Sequence, residues 1–325
     1  MESKVAKNTY NCRKLTIGDF GNCGLKRLLQ QQIEAAIGLC GRSQLNPQTI
    51  SIHRLSHHNS VIYRSAIALQ LSPLWQLPPD DIAHQLMAAY LTISEDNLYT
   101  EVVSTGWIHF LLRDRSLAAL LQNSIDIPPS PPTLSYHFCS TRDNLFPLQY
   151  SHARCSSLLR LGQVGAEVVV ENFFLDGEGE RLLFVDGAEW ALIFHILDLL
   201  DVMDELDKGR FGKVIFSPSG NLSPQSPSHL PLPPQRGRWE NFASFQGESE
   251  LLEPSLMRGG VKLLKQGLAL CQAFDRFHRS CRIWGEVQID RPRLAEARLS
   301  LVRVTQILLR SLLEDYFGLP APTEL

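Results

Sequence analysis

Long apolar runs, a leader-like start and metal-binding spacings are all missing from this chain of 325 residues. No stretch of about 18 apolar residues occurs, which excludes an ordinary membrane-spanning helix. The opening MESKVAKNTYNCRK has no apolar core of the kind a secretory leader needs, so a cytoplasmic protein is expected. The seven cysteines are odd in number and show no Cys-x-x-Cys spacing, so they read as reduced thiols. No His/Cys cluster has zinc-like spacing, and no glycine-rich phosphate loop occurs, so neither a metal nor a cofactor is expected. Excess positive charge is missing too. A net charge of −3 argues against simple whole-chain attraction to nucleic acid.

That average conceals an asymmetry. Residues 1–166 hold 14 Lys/Arg against 11 Asp/Glu, residues 167–208 hold 2 against 12, and residues 258–310 hold 11 against 4. Because salt screens fields beyond roughly 8 Å, the local excess matters more for a polyanion than the mean. The basic stretch suits phosphate, and the acidic stretch together with the Pro/Ser-rich run that follows suits a protein partner.

The expected fold class is α+β: a small N-terminal α/β unit, then a C-terminal helical bundle carrying an inserted hairpin and loop. In the first unit, Leu25, Leu28, Leu29, Ile33, Ala36 and Ile37 form a stripe at helical spacing. Thr49–Leu55 alternates as a strand does, and Ser60–Leu71 reads as helix. Pro78, Pro79, Asp80 and Asp81 suit the first turn of another helix. Leu98–Val103 and Trp107–Leu112 read as two strands joined at Ser104-Thr105-Gly106. Four prolines between Pro128 and Pro132 mark a spacer, which gives a unit over 1–122, a linker over 123–146 and a bundle over 147–325. Within the bundle, two β-rich runs between Glu167 and Val185 flank DGEGE as a hairpin would. Asp186 with Glu189 forms a capping-box pattern ahead of an apolar helix. Ser217–Gln235, inside a Pro/Ser-rich loop near 209–255, reads as a surface excursion. Helices over Leu256–Cys281 and Pro292–Phe317 close the chain.

Residues 147–160, PLQYSHARCSSLLR, resemble the first helix of the DALR-type anticodon-binding domain of arginyl-tRNA synthetases. LALCQAFDRFHRSC and LAEARLSLVRVTQILLRSLLEDYFGLPAP resemble the last two helices of that domain, with Glu296-Ala297-Arg298-Leu299 and Leu301-Val302-Arg303 carrying the motif. IALQLSPLWQLPPDDIAHQL and STGWIHFLL are similar, less closely, to the appended N-terminal domain of the same synthetases. The resemblance implies a tRNA partner, with arginine tRNA among the candidates.

Between those two ends, such a synthetase carries a catalytic domain with a His-x-Gly-His element and a Lys-Met-Ser-Lys-Ser-type loop. Here about 28 residues separate Leu121 from Tyr150, and neither element occurs. Adenylation depends on positioned cations and amides of that kind, so no catalytic residue is assigned and no enzyme is expected. The resemblance is to a synthetase paralogue without its catalytic core.

The RNA-binding candidates are Tyr150, Arg154, Arg279, Trp284, Arg298, Arg303 and Arg310. Tyr150 and Arg154 stand one turn apart, where a tyrosine stacks a base and a guanidinium stacks or pairs with phosphate. Arg303 and Arg310, seven apart, share a face, and Arg298 lies near an adjoining one. Arg276, Arg279, Arg282 and Trp284 cluster where cations also suit a helix C-terminus. For every arginine the competing reading is a solvated or ion-paired bundle face. Arg298 has a second, structural reading because it stands near a helix start. The family carries Phe-Tyr where this chain has Phe277-His278, so a stacking tyrosine is missing there. His58–Arg64 lacks the family's polar-aromatic pattern, so recognition of the tRNA elbow is not carried over. His53, His57 and His58 read as surface histidines, and His152 as structural. Three functions fit: a non-catalytic tRNA-binding protein, a protein-interaction scaffold that kept the fold without RNA contact, or an assignment to arginyl-tRNA aminoacylation by homology without autonomous activity.

Overall fold

The computed structural model describes residues 24–41, 50–55, 57, 59–94, 98–125, 145–162, 174–211 and 254–324. The Pro/Ser-rich excursion, the proline spacer and the first half of the expected hairpin fall outside them.

The first helix, α1 (Leu25–Leu39), buries the expected stripe of leucines and isoleucines. Strands β1 (Ile52–Leu55), β2 (Ile62–Ser65), β3 (Leu98–Val103) and β4 (Trp107–Leu112) form one antiparallel sheet in the order β1-β2-β4-β3. Helices α2 (Ile67–Trp75) and α3 (Pro79–Ile93) join α1 on its inner face, over Ile52, Tyr63, Ile108, Phe110 and Leu112. Pro79 occupies the first helical position of α3, with Asp80 and Asp81 in its first turn. A 3₁₀ turn at Ser104–Gly106 joins β3 to β4, as the sequence suggests. One expectation fails here. Ser60–Leu71 is a strand followed by a helix, because Tyr63 and Ser65 face the core while Ile62 and Arg64 face outward. Pairing of β2 with both β1 and β4 overrides the helical spacing of the isolated segment.

Helix α4 (Asp114–Ile125) continues past the boundary placed at 122 and packs against the bundle. The bundle comprises α5 (Phe146–Gly162), α6 (Gly187–Phe211), α7 (Pro254–Ser280), the short α8 (Glu286–Asp290) and α9 (Pro292–Ser311), which ends in a π-helical turn over Leu312–Tyr316. Gly267 lets three of these elements close up: a Cβ there would lie 2.8 Å from Leu148 of α5 and 2.9 Å from Leu312. DGEGE turns the chain through a single bridge, Leu175 to Leu182. Among the described residues no helix is long and apolar enough to cross a membrane.

The buried apolar side chains form one continuous cluster across both halves. A charged seam runs beside it. Helix α6 turns Asp198, Asp201, Asp204 and Glu205 toward the N-terminal half, at spacings that share one face. Asp198 takes a two-pronged contact from Arg54 at 3.1 and 2.5 Å. Asp204 pairs with Arg27 at 2.9 Å, and Glu205 receives Lys26 at 2.7 Å and Lys262 at 2.6 Å. Asp201 accepts the backbone N–H of Lys26 at 3.0 Å and the Tyr63 hydroxyl at 2.9 Å. It thereby caps the N-terminus of α1, whose own N-cap residue, Gly24, has no side chain to do so. A Cβ on Gly24 would sit 2.8 Å from that carboxylate, so only glycine permits this approach.

Candidate nucleic-acid interface

Helix α5 buries Leu148, His152, Cys155 and Leu158, and its opposite side carries a stripe at four-residue intervals: exposed Phe146 and Tyr150, then half-buried Arg154. Phe146 is 54% exposed and Tyr150 47%. Their rings stack with centroids 6.2 Å apart and planes inclined by 29°. Arg154 continues the ladder, its Nη1 lying 3.4 Å from the Tyr150 hydroxyl. Large aromatic faces left in water beside a guanidinium form a surface on which unstacked bases can lie.

Helix α7 supplies the other wall. Arg154 Nη2 stands 3.1 Å from His278 Nδ1. A guanidinium only donates, so Nδ1 accepts and the neutral ring carries its proton on Nε2. Arg154 Nη1 lies 3.8 Å from Asp275, whose other oxygen holds Arg279 at 2.6 Å. Burial lowers the His278 pKa, Arg154 lowers it further, and Asp275 partly offsets both. Tyr150, Arg154 and Arg279 are therefore brought into one cluster, with Asp275 and His278 at its centre. Phe146 and Asp275 are members that the sequence reading did not name. The four-residue spacing from Phe146 to Tyr150 to Arg154 was the available signal.

The remaining candidates stand elsewhere. Arg298 is a correction: it is buried, with Nε 2.6 Å from Glu189 and Nη1 2.6 Å from the Arg282 carbonyl, and it does not face solvent. Glu189 also accepts the backbone N–H groups of Val185 and Asp186 at 2.8 Å each, so the capping box of α6 anchors Arg298. Trp284 is partly buried against the core. Arg303 is exposed on α9 and has no partner among the described residues, whereas Arg310 pairs with Glu314 at 2.8 Å. His152 is buried, with Nδ1 2.7 Å from the Pro322 carbonyl. His53 and His57 bond Ser51 and Ser60 at 2.8 and 2.7 Å.

No protein-family model matches the chain, and no solved structure matches it. It is similar to an arginine–tRNA ligase of Synechococcus sp. (strain JA-3-3Ab), 26% identical over 204 residues. That alignment covers 62% of this chain and 26% of the ligase, so the chain spans about a quarter of the relative it matches. The likeness suggests a relationship to the arginyl-tRNA synthetases.

Proposed function

We propose that this chain is a non-catalytic tRNA-binding protein derived from an arginyl-tRNA synthetase, presenting or marking tRNA for a partner. The observation that carries the reading is the pair of exposed rings, Phe146 and Tyr150, continued along α5 by the half-buried Arg154. Rings and a guanidinium in one open row suit splayed loop bases, and each stacked base contributes about 1–3 kcal/mol. Arg279, exposed beside the ladder, and Arg303 and Arg310 on α9 add cations for phosphate. The similarity to an arginine–tRNA ligase makes tRNA the first RNA to try. The chain performs no aminoacylation by itself, since it has neither the His-x-Gly-His element nor the lysine-serine loop.

The scaffold reading draws on the acidic segment as a docking surface. Asp198, Asp201, Asp204 and Glu205 of that segment are engaged by the N-terminal half, which weakens it. The test is a titration of the full chain against bulk tRNA at two salt concentrations. Saturable binding that weakens steeply with salt is expected, and no binding at low salt would overturn the proposal.

A further inference from the structure

Two cation-capable side chains, one from each wall of the interface, face each other at its centre. Neutral His278 accepts from Arg154 at 3.1 Å, and its Nε2–H is left as a second donor. The charged groups facing the imidazole are Arg154 from α5 and Asp275 from its own helix, with Arg279 on the far side of Asp275. Asp275 already occupies the position of an anion here, 3.8 Å from Arg154 and 2.6 Å from Arg279. The group is arranged around negative charge.

We propose that Arg154 and His278 together seat a backbone phosphate of the bound RNA, and that His278 takes up a proton as the phosphate enters. The inference rests on the RNA-binding reading of the same face. In the free protein a protonated His278 would lose its acceptor role and stand as a second cation against Arg154. A phosphodiester is ionised throughout the neutral range, and once it replaces the direct Arg154–His278 hydrogen bond with one to each side chain it reverses that penalty. Both side chains then donate to its oxygens, Arg154 through its fork and His278 through a protonated ring. Asp275 meets part of the cost of charging the imidazole in the free protein, and the phosphate meets the rest in the complex.

The sign of the linkage follows. Free His278 sits below its ordinary value of 6.5, held there by burial and then by Arg154. In the complex the phosphate raises it. Affinity therefore increases as pH falls through the bound-state value, and levels off once the free protein is protonated as well. Where the complex holds the proton and the free protein does not, one proton contributes up to about tenfold in affinity per pH unit.

The experiment is a tRNA titration of the full chain from about pH 8 to about pH 6 at fixed ionic strength, comparing the parent with His278→Gln. Glutamine can still accept from Arg154 but cannot be charged. The expected result is roughly three- to tenfold tighter binding at the lower pH for the parent, and a flat profile for His278→Gln at equal melting temperature. Following the His278 ring resonances by NMR should show its midpoint moving up when tRNA is added. If the parent and His278→Gln both bind tRNA with the same pH profile, or if tRNA leaves that midpoint in place, the proposal is overturned while RNA binding stands. If neither binds tRNA at any pH, the RNA reading falls and takes this inference with it.

Discussion

Glu189 and Arg298 meet at 2.6 Å inside the bundle, with the glutamate fully buried and the arginine nearly so. One carboxylate ties the start of α6 to α9, and the same arginine secures the Arg282 carbonyl just past the end of α7. Arg298→Ala would leave a buried charge with only its two backbone donors. Loss of one partner of such a pair costs about 3–5 kcal/mol. Denaturant unfolding should show a loss of that order, with tRNA affinity per folded molecule unchanged. A fully stable Arg298→Ala that no longer binds RNA would mean the residue works at the surface after all.

The proposed RNA-binding face makes a separate prediction. Arg154→Ala with Arg303→Ala removes a half-buried and an exposed cation and one tier of the ladder. Each contact contributes on the order of 1–3 kcal/mol, so tRNA binding should weaken at least about fivefold, with a shallower salt slope. The melting temperature should stay where it is. Unchanged affinity in the double variant would reduce α5 to a bundle element and favour the scaffold reading.

Asp201 gives a pH dependence of stability. Burial raises its carboxyl from 3.8 to about 6, despite the donors from Lys26 and Tyr63 that favour the charged form. A carboxyl with a raised folded-state pKa contributes stability that is full below about 3.8 and lost as pH rises through about 6. For Glu205, burial acts upward, but the lysines Lys26 and Lys262 overcome it and the net shift is down from 4.5. Its contribution is therefore lost only at still lower pH. Relative to Asp201→Asn, the parent should gain on the order of 2 kcal/mol between about pH 7 and about pH 4.5. Parallel stability–pH curves for the two proteins would rule this out.

The seam can be tested by exchange. Arg54→Asp places a carboxylate against Asp198 in a partly buried contact and should cost roughly 2 kcal/mol or more. Adding Asp198→Arg should restore part of that loss, and a double-mutant cycle measures how much. No recovery would show that Arg54 acts by packing on Phe194, whose ring centroid lies 4.8 Å from its guanidinium carbon.

Catalysis has its own check. Purified protein supplied with ATP, arginine and tRNA should neither charge tRNA nor exchange pyrophosphate. Arginine incorporation above a no-protein control would overturn the non-catalytic reading.

Patterns set by one segment alone were legible in the sequence. The stripe of α1, the proline-and-aspartate start of α3, the β3–β4 pair and the Asp186–Glu189 capping box each depend on spacings of four residues or fewer, and the structure contains all of them. The α+β class follows from the same local signals. Which arginines face water was not legible, since burial depends on the neighbour a helix meets. Arg298 and Arg303 lie five residues apart on α9, yet one is drawn inward by a glutamate 109 positions away and the other is exposed. The acidic run of α6 reads as a free charged surface until lysines and arginines more than 140 residues earlier in the chain are placed against it. Strand β2 looked helical because its partners on both sides come from elsewhere. Sequence alone determined most of the helices and their amphipathic faces, through hydrogen bonds and spacings that close within a turn or two. The tertiary structure alone decided which charges neutralise one another and which stay exposed, because an ion pair is set by distance in space.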